Sequence, residues 1–407
     1  MHYELKKLFS SKLLFVCLAL LAVIYGFLVR IAFENRISYS KEYTAFIENL
    51  ERDAGSIENK IEYVENRINS INDLIGKGEK INLLPGEFGN TLLEDIMIFT
   101  RARDFMRRMF VEFPAARKRL VMDALYVLED QNKQSEPDKK TIALYDLIVK
   151  KYNTKIDAKL FDNGSIDKPV SIFEFSVWDF SFALFAIMLT VRMFTMDKAA
   201  GASIVIDATS TRRKRLFMSQ LFAVFIICAL VATVAMVTEM ICGAVFFGVN
   251  DLSIPIQMTE SFEFCPFALT VGGYYLIRLA CMLLFSFTLI CITAFLSIMF
   301  NRSLFVMPLS IAFWSLPLIA YIVYRNDVLF GRVNILDDRF KVFEALRTIL
   351  PHGLIDLKMY LTSFDHAWII SGYYPRIIVC AGISGFLSCI FMLLGMKQFE
   401  KRKNKLL

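Results

Sequence analysis

Six apolar stretches, each long enough to cross a bilayer, limit what this chain can fold into more than any other feature. They fall at about 13–33, 171–194, 216–248, 272–300, 304–324 and 375–396, and a hydrocarbon core needs roughly 20 helical residues. The block at about 34–170 is too polar for hydrocarbon and must form a unit on one side. The expected class is an all-α integral membrane protein: six transmembrane helices with a large, mostly helical extracytoplasmic domain between helices 1 and 2. Its divisions are 1–33 (an interfacial segment and the first span), 34–170 (a helical or coiled-coil domain) and 171–407 (spans two to six). Within the last lie a loop at 195–215 and an outer connection at 325–373.

Hydrophobic residues fill 56% of the 407 positions and mean hydropathy is +0.48, above soluble usage. All eight cysteines lie in or beside the apolar stretches and none in 34–170, which excludes a disulfide-stapled external domain. Cysteines inside spans read as small packing residues. Lys6, Lys7 and Lys12 precede the first stretch as they would in a signal peptide. Leu13 to Val29 is too long for such a core, however, and Arg30-Ile31-Ala32-Phe33-Glu34 offers no small-residue cleavage site. Cys17 also lacks the small residue that precedes a lipoprotein cysteine. An uncleaved first helix is expected.

Positive charge orients the spans. Lys6, Lys7 and Lys12 at the start, Lys198 and Arg212 to Arg215 after the second span, Arg302, and Lys397 to Lys405 at the end share one side. The opposite 249–270 loop has no Lys or Arg, only Asp251, Glu260 and Glu263. Both termini are therefore expected in the cytoplasm, with 34–170 and 325–373 outside.

In the external block, Ile47, Leu50, Ala54, Ile57, Ile61, Val64, Ile68, Ile71 and Ile75 alternate three- and four-residue spacings, the coiled-coil signature. A helix of nearly 30 residues would reach roughly 40 Å. Gly76 to Gly89 then form a loop. Periodicity resumes over about 91–131, with Pro114 expected to split it, and again over 138–152. The seam fits either a bundle within the chain or pairing with a second copy. Asn163 to Pro169 read as the linker back to the membrane. With no His or Cys, the block shows no catalytic constellation, and its carboxylates read as solvated helix faces.

The loop after the second span reads Met196-Asp197-Lys198-Ala199-Ala200-Gly201-Ala202-Ser203-Ile204-Val205-Ile206-Asp207-Ala208-Thr209-Ser210-Thr211-Arg212-Arg213-Lys214-Arg215. It describes a short helix with an apolar face, ended by a Thr/Ser turn and a basic cluster; an ordinary positive loop is the plainer reading. The pattern resembles the bacterial ABC-2 family of transporter permeases, in which an acidic residue and a Gly four later precede a short apolar helix and a Ser/Thr–Arg element. Asp197 stands at the acidic position, where Glu is commoner, and Gly201 at the glycine. Ile204, Val205 and Ile206 occupy the apolar run, and Arg212 or Arg213 the basic position. Gln220 replaces the usual Lys, and the usual Pro is missing.

The resemblance extends to the six spans, the cytoplasmic termini, the insertion after the first span and the amphipathic Tyr3 to Phe9. It implies that Asp197, Gly201, Ile204, Ile206, Arg212 and Arg213 couple to an ATPase subunit, and that a second or related permease completes the assembly. The chain has no GxxxxGK[ST] loop, so ATP and Mg are expected on the partner chain, and this chain is not expected to be an enzyme. No cofactor, metal or nucleic acid is expected on it. The implied location is the bacterial cytoplasmic membrane, among lipid. The implied function is export of a peptide-like, antimicrobial or lipid-like substrate. A membrane-anchored scaffold or sensor, binding a partner through the external helices, is the alternative. Secondary transport would show internal repeats, which the sequence lacks.

Asp179, Glu239 and Arg278 interrupt apolar stretches, six to nine residues from the outer ends by count. Ionisable residues there are costly and default to function. Equal depth would let Arg278 pair with either carboxylate and tie helices two, three and four together; a purely structural ion pair is the plainer reading. In the 325–373 connection, Phe340, Phe343, Leu346 and Leu350 predict an interfacial helix stopped by Pro351 and Gly353. His352 and His366 there have no third ligand in view, so a metal site is not expected.

Overall fold

The structure is a computed structural model that describes residues 2–9, 12–35, 46, 49–50, 52, 55–82, 84–87, 91–134, 138–153, 167–199, 213–249, 251–300, 303–332, 337–362, 365–369 and 372–401. Six of its helices are long and apolar enough to cross a membrane: α2 (Lys12–Glu34), α8 (Val177–Ala199), α9 (Arg213–Phe247), α10 (Val271–Met299), α11 (Ser303–Leu329) and α14 (Arg376–Lys401). Helix α10 is the hub, packing against α8, α9 and α14. Its buried face carries Phe285, Leu289, Cys291 and Ala294. A short first helix, α1 (His2–Phe9), buries Leu8 and packs on α9.

Side-chain contacts define the two ends of this bundle. At the end holding the termini, Phe217 near the start of α9 packs against Phe194 of α8 and Phe399 of α14. Lys214 pairs with Glu400 there at 3.5 Å. At the other end, Tyr25 of α2 donates to the Ala235 carbonyl of α9 at 2.5 Å, and Phe33 meets Phe246.

The polar block supplies α3 (Ile57–Gly76), α4 (Leu92–Arg107), α5 (Phe113–Asn132) and α6 (Lys139–Tyr152). The seam is shorter than its spacing implies. Residue 55 is not helical, and Ser56 caps α3 by accepting from the Asn59 amide at 3.3 Å. Twenty residues give about 30 Å of helix. Ile47 and Ala54 lie outside the described residues, and Ile75 is exposed. The seam residues Val64, Ile68 and Ile71 are buried with Ile98, Phe99 and Met106 of α4, so the chain covers its own seam.

Pro114 does not split its helix. Between α4 and α5 the backbone widens into a π-helical turn, Arg108–Glu112, and the helix continues. A proline lacks the amide and crowds the carbonyl four residues earlier. A π turn bonds five residues back and absorbs both defects, with the Phe113 amide reaching the Arg108 carbonyl.

The block rests on the bundle. Arg108 pairs with Glu263 of the 249–270 loop at 2.9 Å, and the Tyr152 hydroxyl donates to the Phe264 carbonyl at 2.7 Å. Arg117 is buried between the Phe113 and Tyr152 rings. It donates to the Tyr152 carbonyl at 3.0 Å, and burial pulls its basicity down. The loop beneath is itself ordered by ladder-like bonds, Ile256 to Leu269 at 2.8 Å and Val271 to Ile254 at 2.9 Å.

Two boundaries differ from expectation. The apolar stretch at 171–194 contains a short helix, α7 (Asp167–Phe173), then a turn at 174–176, before α8 begins. Phe175 sits at φ 50° in that turn, a left-handed conformation that costs a non-glycine residue energy. The 325–373 connection is a folded cap: α12 (Asp338–Ile349), a 3-10 turn (Pro351–Ile355), α13 (Lys358–Leu361), then β1 (His366–Ile369) paired antiparallel with β2 (Gly372–Pro375). The predicted amphipathic helix is α12, but Phe343 is fully buried under Tyr321. That small sheet departs from an all-α chain.

Gly353 lets the cap close. A Cβ there would lie 2.7 Å from the Arg347 carbonyl oxygen and collide with the Tyr360 hydroxyl, which donates to that same carbonyl. Gly353→Ala is therefore expected to cost about 1–3 kcal/mol, read as a lower Tm of the detergent-solubilised protein.

Candidate functional site

The site grows from the turn at 174–176. Ser176 and Asp179 cap α8 reciprocally: the Trp178 amide donates to the Ser176 hydroxyl at 3.3 Å, and the Ser176 amide to the Asp179 carboxylate at 3.1 Å. Such a box satisfies amides that the first helical turn leaves open. Asp179 therefore lies in the first turn of α8, not the six to nine residues deep that counting predicts, because the helix starts at residue 177.

Helix α10 brings the positive charge. Thr270 caps it by accepting from the Gly273 amide at 3.1 Å. Tyr274 and Arg278, four residues apart, then share a face. Arg278 is 6% exposed and pairs with Glu239 of α9, 3% exposed. The expected pairing of Arg278 with Glu239 is present, while Asp179 makes no direct bond to the guanidinium and acts on it only through its field. The pair ties helices three and four of the apolar set, while helix two contributes Asp179 without a bond to it.

A fourth ionisable residue completes the cluster. Glu174 accepts from the Tyr274 hydroxyl and from the Lys358 amide at 2.5 Å, joining the turn before α8 to α10 and to the cap. Burial pushes its carboxyl above the ordinary carboxylate range, opposed by the nearby Arg278 charge. Glu174 is not among the residues singled out from the sequence. It lies in the same apolar stretch as Asp179, five residues earlier, and carried the same signal. Tyr25, Tyr274 and Tyr275 lie within the field of the pair; nothing in their spacing marks them, since apolar stretches contain tyrosines for many reasons. Three buried carboxyl groups thus converge on one buried guanidinium.

A second charged network holds the cap. Asp365 lies between Arg347 and Arg376, accepting from the Arg376 Nε at 2.7 Å and from Arg347. Arg376 also reaches Glu344 at 2.9 Å and the Thr348 hydroxyl at 3.0 Å. Arg347 lies over the Tyr360 ring at 4.6 Å. Asp356 is fully buried and accepts from the Tyr321 hydroxyl at 3.1 Å and from Arg325, whose guanidinium covers the Phe175 ring at 4.5 Å. The strained turn before α8 is thereby clamped by the cap.

His352 sits in this cap, 2% exposed, among the rings of Phe285, Trp314 and Tyr321. Burial lowers its pKa to about 4, and that of His366 falls likewise to about 4. Both lie below the unfolded value of about 6.5. Between these values the unfolded chain binds the proton and the folded chain does not, so stability is lost as pH falls from about 6.5 towards 4. His352→Phe is expected to remove on the order of 2–3 kcal/mol of that acid sensitivity, measured as Tm against pH. Among the described residues no group of three His, Cys, Asp or Glu could hold a metal ion.

The proposed coupling residues are mostly beyond view. Gly201, Ile204, Ile206 and Arg212 lie outside the described residues. So does the side chain of Asp197, although the α8 backbone runs through it. Arg213 is the first residue of α9 and is half-buried. Comparison of the chain with protein-family models, with curated proteins and with solved structures finds no match in any of the three.

Proposed function

We propose that this chain is the membrane-spanning subunit of an ABC exporter, moving a peptide-like, antimicrobial or lipid-like substrate outward with a separate ATPase subunit. The observation that carries the reading is α9. Its 35 residues make a rod of about 52 Å, some 20 Å longer than a hydrocarbon core of about 30 Å. The rod starts at Arg213, Lys214 and Arg215 and carries Glu239 twenty-six residues on. In this reading a push on its basic end travels along one continuous helix to the Glu239–Arg278 pair, and through Tyr274 and Glu174 to the cap at Lys358. In this reading the termini are cytoplasmic, the polar block is outside, and a second or related permease completes the path.

The test is co-purification from native membranes. An ATPase chain is expected with the wild type and is expected to be lost from the Arg213→Glu, Lys214→Glu, Arg215→Glu variant. Isolation with only an extracellular partner would sink the exporter and favour a scaffold. One observation supports that second reading: Met97, Met122, Leu125 and Tyr126 are exposed on the block, Tyr126 at 75%.

A further inference from the structure

Between α2, α8 and α9 lies a groove of about 440 Å³, lined on α2 by Leu18 and Ala22, on α9 by Leu230 and Val234, and walled by the rings of Tyr25 and Trp178, 4.7 Å apart. We infer that it binds the acyl chain of a lipid-like molecule. This deepens the exporter reading, on which it rests only for calling that molecule a substrate.

Three observations fix the occupant. First, the groove offers a polar group little beyond the indole N–H of Trp178. Its two lining hydroxyls are spent within the protein, Tyr25 on the Ala235 carbonyl at 2.5 Å and Thr238 on the Val234 carbonyl at 2.9 Å. Second, its volume lies in the range of about 300–1,000 Å³ that small-molecule sites occupy, with the apolar lining typical of them. Third, it is too small for a protein. From Leu230 to Thr238 the groove runs about 12 Å along α9. Between helices about 10 Å apart it offers a footprint on the order of 100 Å². A stable protein interface buries about 800 Å² on each partner.

The mouth faces the medium of the bundle. Leu230 and Val234 are exposed at 58% and 67%, and Ala22 on the α2 wall is exposed too. In a bilayer the chain at that mouth is hydrocarbon. The groove's wall on α8 is Trp178, in the first turn of that helix, and aromatic residues of this kind settle at the membrane–water interface. A bound lipid would therefore place its headgroup beside Trp178 and run its tail down α9 towards Leu18 and Leu230. Tyr25 lies within the field of Glu239 and Asp179, so the groove and the charged cluster share that wall.

The experiment uses the full chain in vesicles containing phosphatidylcholine with a mid-chain diazirine. After irradiation, label is expected to concentrate on peptides covering 18–26 and 230–238. It is expected to be lost in Ala22→Trp and Val234→Trp, which fill the groove from exposed positions and leave the core untouched. Leu394→Trp on the far side of α14 should retain it. Label spread evenly over the exposed faces of α11 and α14 would mean annular lipid only and overturn the inference. Persistence of label in both filled variants, shown folded by an unchanged Tm, would overturn it too. Disulfide crosslinking of two copies through Leu230→Cys would replace the lipid with a second copy. None of these readouts needs an ATPase, so a labelled groove without a co-purifying ATPase would sink the exporter and leave the site standing.

Discussion

Arg278→Met is expected to destabilise the protein by about 3–5 kcal/mol, the usual cost of stripping a buried ion pair of one partner. Arg278 is the positive charge buried among Glu239, Glu174 and Asp179. Its removal strands the Glu239 carboxylate inside the bundle and withdraws the field that steadies the other two. Reducing the buried negative charge at the same time should restore most of the loss, because a well-packed neutral pair is often as stable as a buried ionic one. Thermal unfolding in detergent of Arg278→Met, Glu239→Gln and the double variant forms a cycle that isolates their interaction. A single variant as stable as wild type would show that the pair contributes nothing. If the double variant folds normally yet export fails, the pair acts in transport and not merely in packing.

Asp365→Ala is the second large effect, expected at about 3 kcal/mol. Arg347 and Arg376 would then face one another across a buried gap, each about a tenth exposed or less. Arg376 keeps Glu344, but that carboxylate is 34% exposed and the pair is worth less for it. The contrast supplies the check: Glu344→Ala should cost under about 1 kcal/mol by the same measurement. Equal losses from the two variants would mean that burial does not govern this network. Because the cap clamps the turn at Phe175 through Arg325 and Asp356, the Asp365 variant should also loosen amide protection around 174–176, read by hydrogen exchange.

The six long helices were legible because their composition alone decides them. Boundaries were less so, and for a local reason. Residues 171–176 are about as apolar as the first turns of the helix that follows, so hydropathy merges them with it. Only the capping bonds of Ser176 and Asp179 separate the two. The Glu239–Arg278 pair was accessible from depth counting, since at the outer side α9 ends and α10 begins within a residue of where their apolar runs do. Asp179 was misplaced by the same count because its helix starts later. Pro114 misled through the opposite error: its effect on an ideal α-helix is real, but a single π turn cancels it.

Local chemistry in the sequence thus determined that this chain has six membrane-length apolar helices, a polar helical block after the first, and charges buried among the spans. Length and hydropathy suffice for that, because each helix satisfies its own backbone. Tertiary structure decided everything that depends on residues far apart meeting. It placed Glu174 against Tyr274 and Lys358, enclosed Asp365 between two arginines, seated the polar block on the 249–270 loop, and left the groove between α2 and α9 open. Such contacts follow from how helices pack and where turns bend, which composition and hydropathy along the chain do not fix.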